Sequence, residues 1–339
     1  MTFVTVATNR IGLGHLMRSL SLADILDTEF NINFIIYAED SRALELIKIR
    51  GYNLVLLDKL SDIGSSSTIL TLLQDKVEIL VFDFYDITSD YQLSFKKENY
   101  KIVCIDDYHN IYFYADVVVN VSNHVHKDDY SCESYTRLLL GTEYIMMRRT
   151  FLQNALLPCR SVKDISSVFL NMGGSDSPNN TLKFLKAVSH IKSLNEIHIV
   201  VGFLYEHKES LENYLTINKG HPATFLYYNV DDEELNEILL KCQVAICPAS
   251  GISMEISTIG LGMLSGYTAD NQKNLLTGLI NRECAINGND FNLLSDADIT
   301  LALQAIIDDP KGTNRMIKNQ RKLIDGKSPD RIREAFRSL

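Results

Sequence analysis

The sequence predicts an α/β protein built as two doubly wound halves. Short runs rich in β-branched and aromatic residues alternate with helical patterns along most of the chain. The rhythm lapses once near the middle and then restarts. Glycine-bearing loops recur where a strand hands over to a helix. Such alternation builds parallel sheets covered on both faces, and a restart implies a second sheet. With 339 residues, 46% of them hydrophobic, the chain is long and apolar enough for two cores.

TFVTVATN (2–9) opens the first half as a strand. From His15 to Leu26, the apolar residues Leu16, Leu20, Ala23 and Leu26 share one helical face. NINFIIYA (31–38) is a strand, SRALELIKI a helix, NLVLL a strand and TILTLLQ a helix. VEILVFDFY (77–85), KIVCIDD (101–107) and DVVVNVS (116–122) are apolar runs that fit buried parallel strands. Between Asn123 and Arg149 the alternation is lost: HVHKDDYSCESY is polar and loop-like, and LLLGTEYIMMRR follows.

RRTFLQNALLPCRSVKDI (148–165) reads as a connection. The strands SSVFLNMGG, IHIVVG, ATFLYYN, VAICPA and MLSGYT then alternate with helical segments, and a helical tail follows DADITLALQAIIDD. This predicts a first Rossmann-like domain at 1–150, a linker at 151–165 and a second Rossmann-like domain at 166–339. Open α/β sheets bind ligands outside the carboxyl ends of their strands. Two such sheets are therefore expected to face each other across a cleft lined by those loops.

A formal net charge of −10 argues against wholesale capture by nucleic acid or acidic lipid, though not against a local pocket for a small anion. No apolar run approaches membrane-spanning length, and TFVTVATN reads as a strand rather than a leader, which points to the cytoplasm. The six scattered cysteines read as reduced thiols. The eight histidines do not cluster with carboxylates at ligand spacing, so neither metal nor cofactor is expected. Asp296-Ala-Asp298 reads as helix capping.

The candidate chemistry lies in the strand-to-helix loops. Gly12-Leu13-Gly14-His15 offers flexible backbone and helix N–H groups to an anion. It is neither a dinucleotide fingerprint nor a P-loop. The helix dipole disfavours an imidazolium at His15, which suits a general base; a loop-bonding, packed histidine fits the pattern equally well. Arg18, one turn on, is suited to an anionic ligand or to a surface carboxylate. Tyr85 follows an apolar strand and presents either a hydroxyl or an aromatic lid. Asp106 and Asp107 point to opposite faces, so one is free to hold the loop while the other faces the cleft. Gly173-Gly174-Ser175 and Ser250-Gly251-Ile252-Ser253 are further anion-suited turns. Glu255 suits ribose hydroxyls or the helix dipole, and Asn271 is an N-cap by type.

Taken in order, Gly12-x-Gly14-His15-x-x-Arg18, V-x-Asp83-x-Tyr85, Ile105-Asp106-Asp107, L-x-Gly141-x-x-Tyr144, Gly173-Gly174-Ser175-Asp176, Glu255 and Asn271-Gln272 form a pattern. It resembles the pseudaminic acid pathway UDP-sugar hydrolases and related spore-coat polysaccharide proteins. More distantly, the chain is similar to the glycosyltransferases that add N-acetylglucosamine to lipid-linked peptidoglycan precursors. The resemblance implies the GT-B fold and release of UDP from UDP-2,4-diacetamido-2,4,6-trideoxy-β-L-altrose. Water would attack the anomeric carbon with inversion and without a metal. It implies His15 as base, with Tyr85 and Asn271 flanking the sugar and water. Gly12, Gly14, Arg18 and Gln272 would lie on the sugar and phosphate side. Gly173, Gly174, Ser175, Ser250, Gly251, Ser253 and Glu255 would hold the nucleotide, with base contacts near Val230. The alternative is an inverting glycosyltransferase of surface polysaccharide assembly, in which an acceptor hydroxyl replaces water. The family's Gly-Ser-Thr before x-x-Glu stands here as Ser250-Gly251-Ile252.

Overall fold

A computed structural model of the chain describes residues 1–8, 12–73, 78–122, 124–202 and 204–339. Residues 9–11, 74–77, 123 and 203 lie outside the described residues. They hold the start of the glycine–histidine loop, the last residue of the TILTLLQ helix, the first of the VEILVFDFY strand and the start of the central loop. The chain divides into two units: Met1–Met147 with Lys327–Leu339, and Arg148–Gly326.

Unit 1 runs β1 (Thr2–Ala7), α1 (Gly14–Leu26), β2 (Asn33–Ala38), α2 (Ser41–Ile49), β3 (Asn53–Leu56), α3 (Leu60–Ile63), α4 (Ser66–Leu72), β4 (Ile79–Asp83), α5 (Ser89–Lys97), β5 (Lys101–Ile105), β6 (Tyr112–Phe113), β7 (Val117–Asn120), β8 (Ser131–Cys132) and β9 (Arg137–Leu140). Seven of these strands make one parallel sheet in the order β3-β2-β1-β4-β5-β7-β9. β6 and β8 pair separately. The stretch after Asn123, where the alternation lapses, thus contributes β8 within its loop-like part and the edge strand β9. Leu138 to Leu140 supply the apolar run, but one strand without a following helix breaks the alternation that makes strands legible.

Side chains of β1 alternate between two cores. Phe3 and Ala7 join one with α1; Val4 and Val6 join the other with α5. Every β1 residue is buried, as befits a central strand.

Unit 2 runs α6 (Arg149–Ala155), β10 (Ser167–Leu170), α7 (Asn180–Val188), β11 (Glu196–Val201), α8 (Lys208–Ile217), β12 (Ala223–Tyr228), α9 (Asp232–Lys241), β13 (Val244–Pro248), α10 (Gly251–Ile259), β14 (Gly262–Tyr267), α11 (Lys273–Asn281), β15 (Ile286–Asp290), α12 (Asp296–Asp308) and α13 (Pro310–Leu323). Its parallel sheet has the order β12-β11-β10-β13-β14-β15. Both sheets therefore wind outward in opposite directions from a central pair, β1/β4 and β10/β13. Such a pair is where a doubly wound sheet opens a crevice at its carboxyl edge.

The tail departs from the sequence expectation, which places everything after residue 166 in the second domain. α14 (Ser328–Arg337) belongs to unit 1. Ile332, Ala335 and Phe336 lie on one helical stripe and enter the α1 core, each about 1% exposed or less. Burial of side chains the size of Ile and Phe contributes about 1.5–3 kcal/mol each. Arg333 Nε donates to the Ile25 carbonyl at 2.9 Å, and Arg337 pairs with Glu29 at 2.6 Å. Cations at the carboxyl end of α1 also suit its dipole. The apolar stripe was visible in the sequence; its docking partner was not.

Candidate functional site

In unit 1 the site is built at the β1/β4 pair. After β1 the chain turns through Gly12, whose φ of +78° strains any other residue, and Gly12 N donates to Thr8 O at 2.7 Å. α1 then starts with no side-chain cap and no acidic residue in its first turn. Gly14 stands at its first position, where an added Cβ would meet no atom within 4 Å. The protein's own sterics do not demand glycine there; it leaves the helix start open to close approach.

His15, 4% exposed, points to the end of β4. β4 pairs with β1 so that Asp83 lies beside Thr5, and the Thr5 hydroxyl donates to the Asp83 carbonyl at 3.0 Å. The Asp83 carboxylate has no exposure. Its Oδ1 accepts from His15 Nδ1 at 2.6 Å and from Arg18 Nη2 at 2.7 Å. Its Oδ2 accepts from Arg18 Nε at 3.0 Å and from the Ser19 hydroxyl at 3.0 Å. Four donors saturate the carboxylate. Burial pushes this carboxyl up, but Arg18 and His15 outweigh burial and hold it down at about 2. An ionised acceptor at Nδ1 assigns the ring proton to that nitrogen. His15 Nε2 is then a lone-pair acceptor, and it is buried without a hydrogen-bond partner among the described residues. Buried polar atoms are rarely left so, and an orphan of this kind asks for a ligand.

Arg18 does not stand as an anion receptor. Its Nη1 donates to Asp107 Oδ1 at 2.7 Å and its Nη2 to Asp107 Oδ2 at 3.2 Å, besides the two bonds to Asp83. The two adjacent aspartates divide their work. Asp106 holds the loop through Tyr108 N, His109 N and the Tyr130 hydroxyl, while Asp107 takes the guanidinium. Tyr85 meets the His15 ring edge-on at 4.4 Å between centroids and also approaches Tyr108 at 5.6 Å. Burial raises the Tyr85 hydroxyl, so it stays a neutral donor.

In unit 2 the two loops expected to hold anions differ. Asp176 accepts from Asn180 N and Thr181 N, both at 2.8 Å, and so answers the first amides of α7 with its own carboxylate. A phosphate at Gly173–Ser175 would meet loop backbone without that helix dipole. Gly173, at φ +89°, donates from its N to Asn171 Oδ1 at 2.9 Å. Gly174 lies against the β11 loop: a Cβ on Gly202 would sit 2.5 Å from Gly174 Cα. Gly202→Ala is expected to destabilise unit 2 by about 1–3 kcal/mol, read as a lower urea midpoint at an unchanged slope.

α10 is open by contrast. Ser250 makes no side-chain cap, no acidic residue lies in the first turn, and a Cβ on Gly251 would meet nothing within 4 Å. The Ser253 hydroxyl is turned inward, donating to the Ser250 carbonyl at 2.7 Å. Glu255, 8% exposed, is gripped by Arg148: Nε reaches Oε1 and Nη2 reaches Oε2, both at 2.6 Å. Arg148 Nη1 also reaches Asp232 Oδ1 at 2.6 Å. This bidentate clamp leaves only the outer lone pairs of Glu255 for a diol.

Val230 is half-buried beside Asn229, whose φ is +53°, just before Asp231 caps α9. Asn271 is no helix cap. It sits within the short 3₁₀ turn Asp270–Gln272, and Gln272 takes the position before α11. Gln272 Oε1 accepts from Thr268 N at 2.8 Å. Asp298 completes a capping box with Ser295 on α12, as the Asp-x-Asp string suggested.

Asp83 and Asp176 stood in the sequence pattern without an assigned role, and Arg148 was not singled out. The one available signal was an acid closing an apolar strand, ILVFD. Among the described residues no group of three or more His, Cys, Asp or Glu stands as a metal cage, and no helix is long and apolar enough to cross a membrane. The six cysteines are unpaired.

No family model matches the chain. It is 24% identical over 282 residues to the uncharacterized protein MJ1062 of Methanocaldococcus jannaschii; the match covers 80% of this chain but only 56% of that protein. It is 24% identical over 288 residues to the UDP-2,4-diacetamido-2,4,6-trideoxy-β-L-altropyranose hydrolase of Campylobacter jejuni, covering 82% of this chain and 94% of that protein. Among solved structures, the spinosyn rhamnosyltransferase SpnG aligns with a TM-score of 0.69 at 13% identity, over 99% of this chain and all of that one. MurG of Acinetobacter baumannii aligns with a TM-score of 0.65 at 11% identity over the whole of both chains. The chain has the GT-B fold. In GT-B terms, units 1 and 2 are its two Rossmann-like domains, and the His15 and α10 loops mark the switch point of each.

Proposed function

We propose that the chain hydrolyses a UDP-linked diacetamido-trideoxy sugar. The observation that carries this reading is the state of His15: Nδ1 is committed to a buried carboxylate, and Nε2 is buried without a partner among the described residues. That is the arrangement of an oriented general base. Nε2 takes a proton from water as the water oxygen bonds to the anomeric carbon. The bond from that carbon to the β-phosphate oxygen breaks, UDP leaves with the electron pair, and the configuration inverts. Tyr85 lies against the base, and we assign Tyr85 and Asn271 to the sugar and water.

The diphosphate is assigned to the uncapped start of α10, at Ser250, Gly251 and Ser253, although the Ser253 amide already donates to the Ser250 carbonyl at 3.0 Å. Helix N–H groups there meet the charge that develops on the leaving group. A nucleoside diphosphate so met needs no separate acid, unlike the alkoxide of an ordinary glycoside. Gly173, Gly174 and Ser175 contribute loop backbone, Glu255 the ribose contact and Val230 the base contact. Gly12, Gly14 and Gln272 line the sugar and phosphate side. The likeness to the Campylobacter jejuni hydrolase supports the substrate class.

A second reading keeps the base and exchanges the nucleophile. Several solved structures of similar fold are glycosyltransferases, which favours an acceptor hydroxyl in place of water. One experiment separates the two. The protein is incubated with a panel of UDP- and other nucleotide-linked amino sugars, with and without candidate acceptors and with EDTA, and free nucleotide is measured. Release without acceptor, unaffected by EDTA, is the expected result. Release only with acceptor replaces hydrolysis by transfer, and no release from any donor removes both.

A further inference from the structure

We infer that Arg18 sets the charge state of His15: it shares Asp83 with the imidazole, so the aspartate orients the ring without holding it as imidazolium. The inference deepens the base role proposed above and rests on it.

A buried carboxylate bonded only to a histidine favours the ion pair, and an imidazolium has no lone pair to accept a proton. Here the carboxylate already has a permanent cation. Arg18 Nη2 lies 2.7 Å from Asp83 Oδ1 and 3.1 Å from His15 Nδ1. The guanidinium does not lose its proton in proteins. It therefore satisfies the charge of Asp83 at every working pH. With Nδ1–H already donating to Asp83, the approach of Nη2 to Nδ1 is not a hydrogen bond but a nearby positive charge, which opposes a second one on the ring.

Asp107 is the counterweight. It holds the outer edge of the same guanidinium and draws part of its field away from the histidine. Among the described residues, the other groups facing this cluster are Ser19 on the same helix and Tyr85 after β4, with Tyr108 behind Tyr85. From β1 the Thr5 hydroxyl reaches only the Asp83 carbonyl. α14 places Arg333 and Arg337 at the far end of α1, on Ile25 and Glu29. Among the described residues, Arg18 is the cation of the cluster and Asp107 its second anion.

The test reads His15 itself. Its imidazole is followed by NMR across pH in labelled wild type, Arg18→Met, Arg18→Lys and Asp107→Asn. Arg18→Met should raise the titration midpoint by about one pH unit or more, since it leaves Asp83 with the histidine and the neutral Ser19 hydroxyl and no permanent cation. Arg18→Lys should return part of the way. Asp107→Asn should move the midpoint the opposite way, because the guanidinium then acts on Asp83 undivided. A purely structural Arg18 would change stability and leave the midpoint in place.

An unmoved midpoint in Arg18→Met, or the same direction of movement in both Arg18→Met and Asp107→Asn, overturns the inference. If Arg18→Met does not fold, Arg18→Lys against Asp107→Asn carries the same opposed signs. The titration needs no substrate. Opposed shifts in a protein inactive on every nucleotide sugar would sink the proposed reaction and leave the charge relation standing; turnover with unmoved midpoints would do the reverse.

Discussion

His15→Asn is expected to lower turnover by about 10²–10⁴-fold, the usual contribution of a positioned base. Affinity for UDP, measured by titration calorimetry, should stay near wild type, because the nucleotide is assigned to loops of unit 2. The asparagine keeps a polar group near Asp83 but has no basic nitrogen at the place of Nε2. His15→Phe should behave alike in turnover and lose stability as well, since Asp83 then loses one of its four donors. Near-normal turnover in His15→Asn would rule out Nε2 as the base.

Asp83→Asn should damage both chemistry and fold. An amide in place of the carboxylate can donate to Nδ1, which moves the ring proton to Nε2 and removes the acceptor. The same exchange in a Ser-His-Asp triad costs about 10⁴-fold in turnover. The fold loses an anion that Arg18 was placed to meet; breaking such a buried pair costs about 3–5 kcal/mol, with Asp107 still holding part of the guanidinium.

Acid melts give an independent reading. Asp83 is held down at about 2 in the folded chain, from an ordinary value of 3.8. A depressed folded value means the stabilisation is fully present above the unfolded value, near pH 4, and is lost as pH falls through about 2. The difference corresponds to about 2 kcal/mol. Urea midpoints of wild type should therefore fall more steeply between about pH 4 and 2 than those of Asp83→Asn. Parallel acid limbs in the two proteins would mean that Asp83 is not the anchored carboxylate described.

What could be read from the sequence was local. Strand runs such as FVTVA and ILVFD, and glycines where strands meet helices, gave the doubly wound sheets and the loops worth inspecting. His15 could be placed at a helix start but not assigned a role, because its role depends on Asp83. That residue is 68 positions away and becomes a neighbour only when β4 lies beside β1. Arg18 stays open between an anionic ligand and a carboxylate for the same reason: its partners Asp83 and Asp107 lie at or just beyond the ends of strands that spacing cannot align. The Gly173 loop carried its own answer in Asp176, whose side chain takes the amides of Asn180 and Thr181, four and five residues on. Non-local carboxylates thus decided the reading of His15 and Arg18.

The return of α14 to unit 1 has a consequence for biosynthesis. All of unit 2 intervenes between β9 and the helix that covers α1. On the ribosome, unit 2 has every residue it needs once Gly326 has emerged. Unit 1, made first, still lacks Ile332 and Phe336 and presents part of its α1 core uncovered. Domains usually mature in the order of their synthesis. Here the first domain begun is the last to be finished, and the nascent chain carries an open apolar groove throughout the translation of the second.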